Sequence, residues 1–160
     1  MQKILSMLML MTMLILSSCD KEDDGGSNSG GGDSFECEID GTAHKISGKF
    51  AFAQKVDAEI FAIYGSEDQT KSGFKNVYIS MKSVPAKGVY DLSKSDVGSG
   101  NILETSSGTL YNSNFPGGSG TLEVTEKTDN RIKGSFSFVG ATGQGAKKTV
   151  TKGKFDVSIK

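Results

Sequence analysis

One histidine, two cysteines and a scatter of carboxylates are all this chain offers for acid–base, nucleophilic or metal chemistry. A Ser-His-Asp arrangement would have to use His44, with Asp40 or another acid beside it. The strained G-x-S-x-G turn that lifts a nucleophilic serine is absent, because Gly98-Ser99-Gly100 and Gly118-Ser119-Gly120 lack its spacing. His44 therefore reads as a surface or strand-end histidine. One His and one free Cys cannot supply a usual zinc ligand set. Asp91, Asp96 and Asp129 do not follow the calcium-loop spacing. Glu59 with Glu67 or Asp68 would make a glycosidase pair only if the fold happened to bring them together. Gly117-Gly118-Ser119-Gly120 is not followed by a helical pattern, so it reads as a wide turn rather than a phosphate cradle. No catalytic residue, metal or cofactor is expected, and an unrecognised hydrolase is the remaining enzymatic alternative.

Cys19 is the residue with the clearest chemistry. Lys3 is followed by an almost unbroken apolar run over 4–16, the charged start and apolar centre of a signal peptide. The run is shorter than the roughly 20 residues a membrane-spanning helix needs. It ends in Leu16-Ser17-Ser18-Cys19, which resembles the lipobox of bacterial lipoproteins. That resemblance implies a diacylglycerol on the Cys19 thiol, removal of residues 1–18, and acylation of the new amine. Two or three acyl chains hold firmly, since each buried CH₂ contributes about 0.8 kcal/mol. An ordinary signal peptide with Cys19 in a disulfide is the alternative. Asp20-Lys21-Glu22-Asp23-Asp24 follows at once. This cluster resembles the acidic export signal that sends Bacteroidota lipoproteins to the outer face of the outer membrane. A plain acidic spacer is the alternative.

Residues 25–32 are glycine, serine and asparagine only, the composition of a flexible linker. The expected organisation is a signal peptide over 1–18, a lipidated acidic and Gly/Ser tether over 19–33, and one domain over 34–160. With Cys19 taken by lipid, Cys37 has no disulfide partner and reads as a small buried apolar group. The chain carries 18 basic and 19 acidic residues, a formal net charge of −1, so there is no electrostatic case for nucleic acid.

The domain reads as short strands between glycine-rich turns. Residues 35–39 alternate, Asp40-Gly41 makes a hairpin turn, and 43–47 return. A strand over 49–54 is expected to put Phe50 and Phe52 on its inner face. The stretch 59–64 is apolar on both sides, which suits a central strand. Val77, Ile79 and Met81 share one face of the next. Further strands are expected over 89–92, 101–105, 109–112 and 121–127, with loops over 66–75, 93–100 and 140–146. In 131–139, Ile132, Phe136 and Phe138 alternate with Arg131, Lys133, Ser135 and Ser137. The last strand changes parity between Val150 and Phe155, which predicts a bulge at Gly153. About nine antiparallel strands, with no convincing helical repeat, give an all-β domain: a two-sheet sandwich or a flattened barrel.

The pattern Gly134-Ser135-Phe136-Ser137-Phe138, then Val150-Thr151-Lys152-Gly153-Lys154-Phe155-Asp156-Val157, is similar to the last strands of a family of small Bacteroidota lipoproteins. Ile39-Asp40-Gly41-Thr42-Ala43 resembles that family's first hairpin. The resemblance covers the two ends of the domain and no motif in 66–118. It implies an all-β extracytoplasmic domain and carries no catalytic residue across.

Binding surfaces remain. Tyr64, Tyr78, Tyr90 and Tyr111, with Phe115, could face a sugar or a peptide. Phe50, Phe52, Phe61, Phe136 and Phe138 could line a cavity for an apolar guest in a closed barrel. Core packing is the plain alternative for both sets. The expected protein is a lipid-anchored, monomeric, surface-facing binding module at the outer membrane. Its partner would be a surface protein, a glycan or a small apolar ligand, and a lipocalin-like carrier is the alternative.

Overall fold

The computed structural model describes residues 32–160, so the expected signal peptide, Cys19 and the acidic cluster lie outside the described residues. Eleven antiparallel strands form one sheet that curls almost into a barrel. They are β1 (Ser34–Ile39), β2 (Thr42–Ser47), β3 (Ala51–Lys55), β4 (Phe61–Ser66), β5 (Lys75–Met81) and β6 (Gly88–Asp91). After these come β7 (Gly98–Glu104), β8 (Thr109–Asn112), β9 (Ser119–Lys127), β10 (Arg131–Ala141) and β11 (Lys147–Ser158). Nine of them run side by side as β2-β1-β11-β10-β8-β7-β5-β4-β3. β10 changes partner along its length: β9 pairs with most of it, and β8 meets it only at Ala141. β6 extends β9 as a short flap.

Local chemistry accounts for several of these elements. Asp40 (φ 49°) and Gly41 (φ 80°) are both left-handed, as a tight hairpin between right-twisted strands requires. Asp57 Oδ1 accepts from the amides of Glu59 and Ile60 at 2.7 and 2.8 Å, and this turn delays β4 until Phe61. The expected bulge is present in β11. Register with β10 slips between Phe136 and Phe138, whose partners are Gly153 and Val150, and Lys152 takes a positive φ of 53°. The slip turns both Val150 and Phe155 inward, as their parity demands.

The interior is filled. Phe35 and Phe136 meet at 4.9 Å between ring centroids, and Phe136 lies 6.4 Å from Phe138 and 6.3 Å from Phe155. Glycines on the facing strands make room for the rings. Phe35 sits on Gly65, Phe138 on Gly100, and Phe136 on Gly153, each too close to admit a Cβ. This explains the observed β7. Gly98-Ser99-Gly100, expected as loop, is strand, because its glycines let Met81 and Phe138 press against the backbone.

One face assignment is reversed. Gly48 (φ 62°) opens a single 3₁₀ turn over Gly48–Phe50, and β3 starts only at Ala51. Ala51 and Ala53 then face the core, while Phe50 and Phe52 stay outside it. Small residues are required there: Ala51 pairs with Gly65, the residue on which the Phe35 ring rests. β10 also runs two residues further than expected, to Ala141.

Two fastenings close the barrel. Ala53 makes a parallel bridge to Ile159, and the Lys160 amide donates to the Ala53 carbonyl at 2.9 Å. Across the other part of the seam, His44 of β2 reaches β4. Its Nε2 is 3.2 Å from the Gly65 carbonyl and its Nδ1 is 3.5 Å from Glu67 Oε1. Asp33, just before β1, is tied to the end of β11. Its Oδ1 accepts from the Ser158 amide at 2.7 Å and the Ser158 hydroxyl at 2.8 Å, with Arg131 Nη1 at 3.4 Å.

Candidate functional site

The outer surface divides into two faces of different chemistry. On β3, the outward residues are Phe52 and Gln54. On β4 they are Ala62, Tyr64 and Ser66, and on β5 they are Asn76, Tyr78 and Ser80. On β7 they are Ser99, Asn101 and Leu103, followed by Leu110 and Asn112 on β8. None of these outward side chains is charged. Lys55, Lys75 and Glu104 occur in the same strands, but at strand ends and on the opposite parity. Because the side-chain period of a strand is two, one register keeps charge off all of these strand positions.

The opposite face is heavily charged. Lys152 Nζ lies 2.9 Å from Glu38 Oε1. Lys133 Nζ lies 3.4 Å from Glu126 and 3.6 Å from Asp156, and Arg131 Nε lies 2.5 Å from Asp156 Oδ1.

An aromatic stack runs across the uncharged face. Phe52, Tyr64 and Tyr78 are cross-strand neighbours in one register row. Their ring centroids are 4.9 and 5.7 Å apart, with interplanar angles of 26° and 27°. Cross-strand aromatic pairs of this kind stabilise a sheet by roughly 0.2–1 kcal/mol each. Lys160 Nζ caps the Phe52 end at 4.1 Å from the ring centroid. Because the rings cover each other's faces, they turn edges and phenol groups outward. Burial raises the pKa of Tyr78, and the adjacent Tyr64 adds to the rise, so its phenol remains a donor. Among the described residues, neither the Tyr64 nor the Tyr78 hydroxyl has a hydrogen-bond partner.

The same row continues in amides. Tyr78 pairs with Asn101, and Asn101 with Asn112. Asn101 is 2% exposed. Its Nδ2 donates to the Ser99 hydroxyl at 3.0 Å, and its Oδ1 accepts from Asn112 Nδ2 at 2.7 Å. Asn112 Oδ1 accepts from the Asn114 amide at 2.6 Å, and Asn114 Nδ2 donates to the Gly98 carbonyl at 3.1 Å. Two oxygens on this side, Asn76 Oδ1 and Asn114 Oδ1, are buried without a partner among the described residues.

The other expected site residues separate. Tyr90 and Tyr111 pack against the core; the Tyr90 hydroxyl donates to the Ala86 carbonyl at 2.8 Å, and Lys148 Nζ sits 5.4 Å over the Tyr111 ring. Phe115 is exposed in the loop after β8. His44, expected at the surface, is 5% exposed and engaged in the seam. Glu67 joins it there, its Oε2 accepting from the Lys75 amide at 2.8 Å. Asp68 instead binds Thr70 and Asp91 binds Ser93, which holds each carboxyl below its usual range. Cys37 is buried, and burial, with Glu36 adding to it, pushes its thiol up to about 12. Among the described residues no three His, Cys, Asp or Glu side chains are grouped to hold a metal ion.

Comparison with protein-family models, curated proteins and solved structures finds no match. The uncharged face is therefore interpreted from its own chemistry. It offers hydroxyl and amide donors and acceptors and ring edges. The sequence had Tyr64 and Tyr78 among its candidates, offered Phe52 only for an internal cavity, and did not single out the asparagines. The absence of charge at every second position of 52–54, 62–66, 76–80, 99–103 and 110–112 was the signal that pointed to them.

Proposed function

We propose that this chain is a lipid-anchored binding module of the cell envelope, not an enzyme, with the uncharged face as its contact surface. Cys19 carries the anchor, the acidic cluster directs the protein to the outer face of the outer membrane, and the linker lets the domain stand off the lipid. The observation that carries the reading is the split surface: five adjacent strands without an outward charge, beside strands that are laced with ion pairs. A face that only needed to stay soluble would share in the charge of the rest of the surface. The alternative, an internal carrier, requires a hollow barrel. Phe35, Phe136 and Phe138 occupy that space, which favours an outer site. Nucleic acid is disfavoured, since the outward strand positions add no cation to Lys160 at the edge of the face, too little to neutralise a run of phosphates.

Fatty-acid labelling of cells producing the full chain tests the anchor. Cys19→Ala should abolish the label and shift the protein out of the detergent phase; a labelled variant overturns the anchor. Alanines at Asp20, Glu22, Asp23 and Asp24 should keep the label but reduce protease shaving of intact cells. Equal shaving reduces the acids to a spacer.

A further inference from the structure

We propose that the uncharged face binds a neutral, hydroxyl-rich glycan chain laid across strands β3, β4, β5, β7 and β8. This rests on the binding-module reading and adds the class of ligand. A charged partner gains little here, because the outward strand positions carry no charge and Lys160 stands only at the Phe52 edge, so most of the water it would lose is not replaced by an opposite charge. A folded protein or a lipid surface would be met by apolar anchors standing clear of the surface. The large apolar residues that do so, Val56, Val84, Val89 and Phe115, are not at outward positions of these strands. Phe52, Tyr64 and Tyr78 are already packed on one another and offer edges rather than insertable rings.

The face presents paired donors and acceptors in a row, which is what a sugar hydroxyl, itself donor and acceptor, requires. The phenols of Tyr64 and Tyr78 are without partners among the described residues, while the Asn101 and Asn112 amides beside them are bonded to each other, to Ser99 and to Asn114 and hold that end of the row rigid. Asn76 Oδ1 and Asn114 Oδ1 lack a donor. A buried acceptor left unmade is costly, and the soft terminal torsion of Asn76 can turn its oxygen towards an incoming hydroxyl, whereas Asn114 is held by its bond to the Gly98 carbonyl. Successive polar groups along the row are separated by the interstrand spacing of about 4.8 Å. That interval is close to the length of one pyranose unit in an extended chain, so the phenols of β4 and β5 can address successive sugars.

Native affinity electrophoresis of the full chain in non-ionic detergent provides the test. Gels are cast with hydroxyethylcellulose, soluble starch, galactomannan or xyloglucan, and with polygalacturonate as the charged control. Migration should slow in at least one neutral polymer and not in polygalacturonate, and added sodium chloride should leave the retardation unchanged. The double variant Tyr64→Phe, Tyr78→Phe keeps the stack and removes both hydroxyls; its apparent affinity should fall several-fold while its thermal midpoint holds. Ser80→Glu, which sets a charge in the face, should abolish retardation, and Lys154→Ala on the other face should not. No retardation in any neutral polymer, retardation that salt removes, or retardation that both face variants retain overturns the proposal. Lipid labelling and shaving report on the tethered module independently, so loss of the ligand class leaves that reading to its own test.

Discussion

Phe138 lies against the backbone of Gly100, and a Cβ built on that glycine would stand 2.5 Å from the ring. The ring of one strand thus fills the space that the residue on the facing strand leaves empty. Gly100→Ala should force ring or backbone to move, at a cost of about 1–3 kcal/mol or more. Gly143→Ala, where nothing lies within 4 Å, should change stability by no more than about 0.5 kcal/mol. Urea unfolding compares the two. Equal midpoints would mean that the ring yields freely and the interior is loosely packed.

The C-terminal strands carry the second expectation. Ile132 pairs with Val157, Gly134 with Phe155, and Phe136 with Gly153, so the inward set of β10 meets that of β11. Phe136→Ala removes a ring that contacts three others and should cost roughly 3–5 kcal/mol. Ser135→Ala, one residue away, gives up only a 3.4 Å contact to Glu123 and should stay within about 0.5 kcal/mol. A serine variant as damaged as the phenylalanine one would overturn the register.

These strands were legible because their information is local and periodic. The alternation of Ile132, Phe136 and Phe138 with polar residues admits one buried face, and Asp40-Gly41 names its own turn. β3 was not legible for the opposite reason. Hydrophobicity alone ranks Phe50 and Phe52 above Ala51 and Ala53. The volume available inside is set by Phe35, which lies far away in sequence, and the 3₁₀ turn at Gly48 sets the phase. The candidate site was half legible. Tyr64 and Tyr78 stood out as aromatics, whereas their continuity with Asn101 and Asn112 depends on a strand order that skips β6.

Cys37 gives a pH-dependent expectation. Its folded pKa is about 12 against an ordinary value of 9.0, chiefly through burial. Between those values the unfolded thiol has lost its proton and the folded one keeps it. Stability therefore falls as pH rises through that window and is indifferent to this group below pH 9. Cys37→Ala should flatten that part of a stability-against-pH curve. Native protein at pH 8 should also resist iodoacetamide, with the thiol alkylated only after denaturant is added. Rapid alkylation without denaturant would show that the seam beside β1 opens.

The seam itself supplies the last expectation. β2 has no strand partner on its outer side, and His44 joins it to β4 through the Gly65 carbonyl and Glu67. Exposed edges invite pairing with other chains, so a side chain that ties the edge down also protects the fold. His44→Ala leaves a buried carbonyl without that donor and should cost about 1–3 kcal/mol. His44→Gln, which keeps a donor of similar reach, should recover part of the loss. The location of the effect discriminates more sharply than its size. Amide exchange should quicken in β2 and in the Gly65–Glu67 segment, while the β10 and β7 amides, in the middle of the strand order and away from the seam, keep their protection relative to global stability. Uniform quickening across all strands would mean that His44 supports the core as a whole and does not act as a latch on the seam.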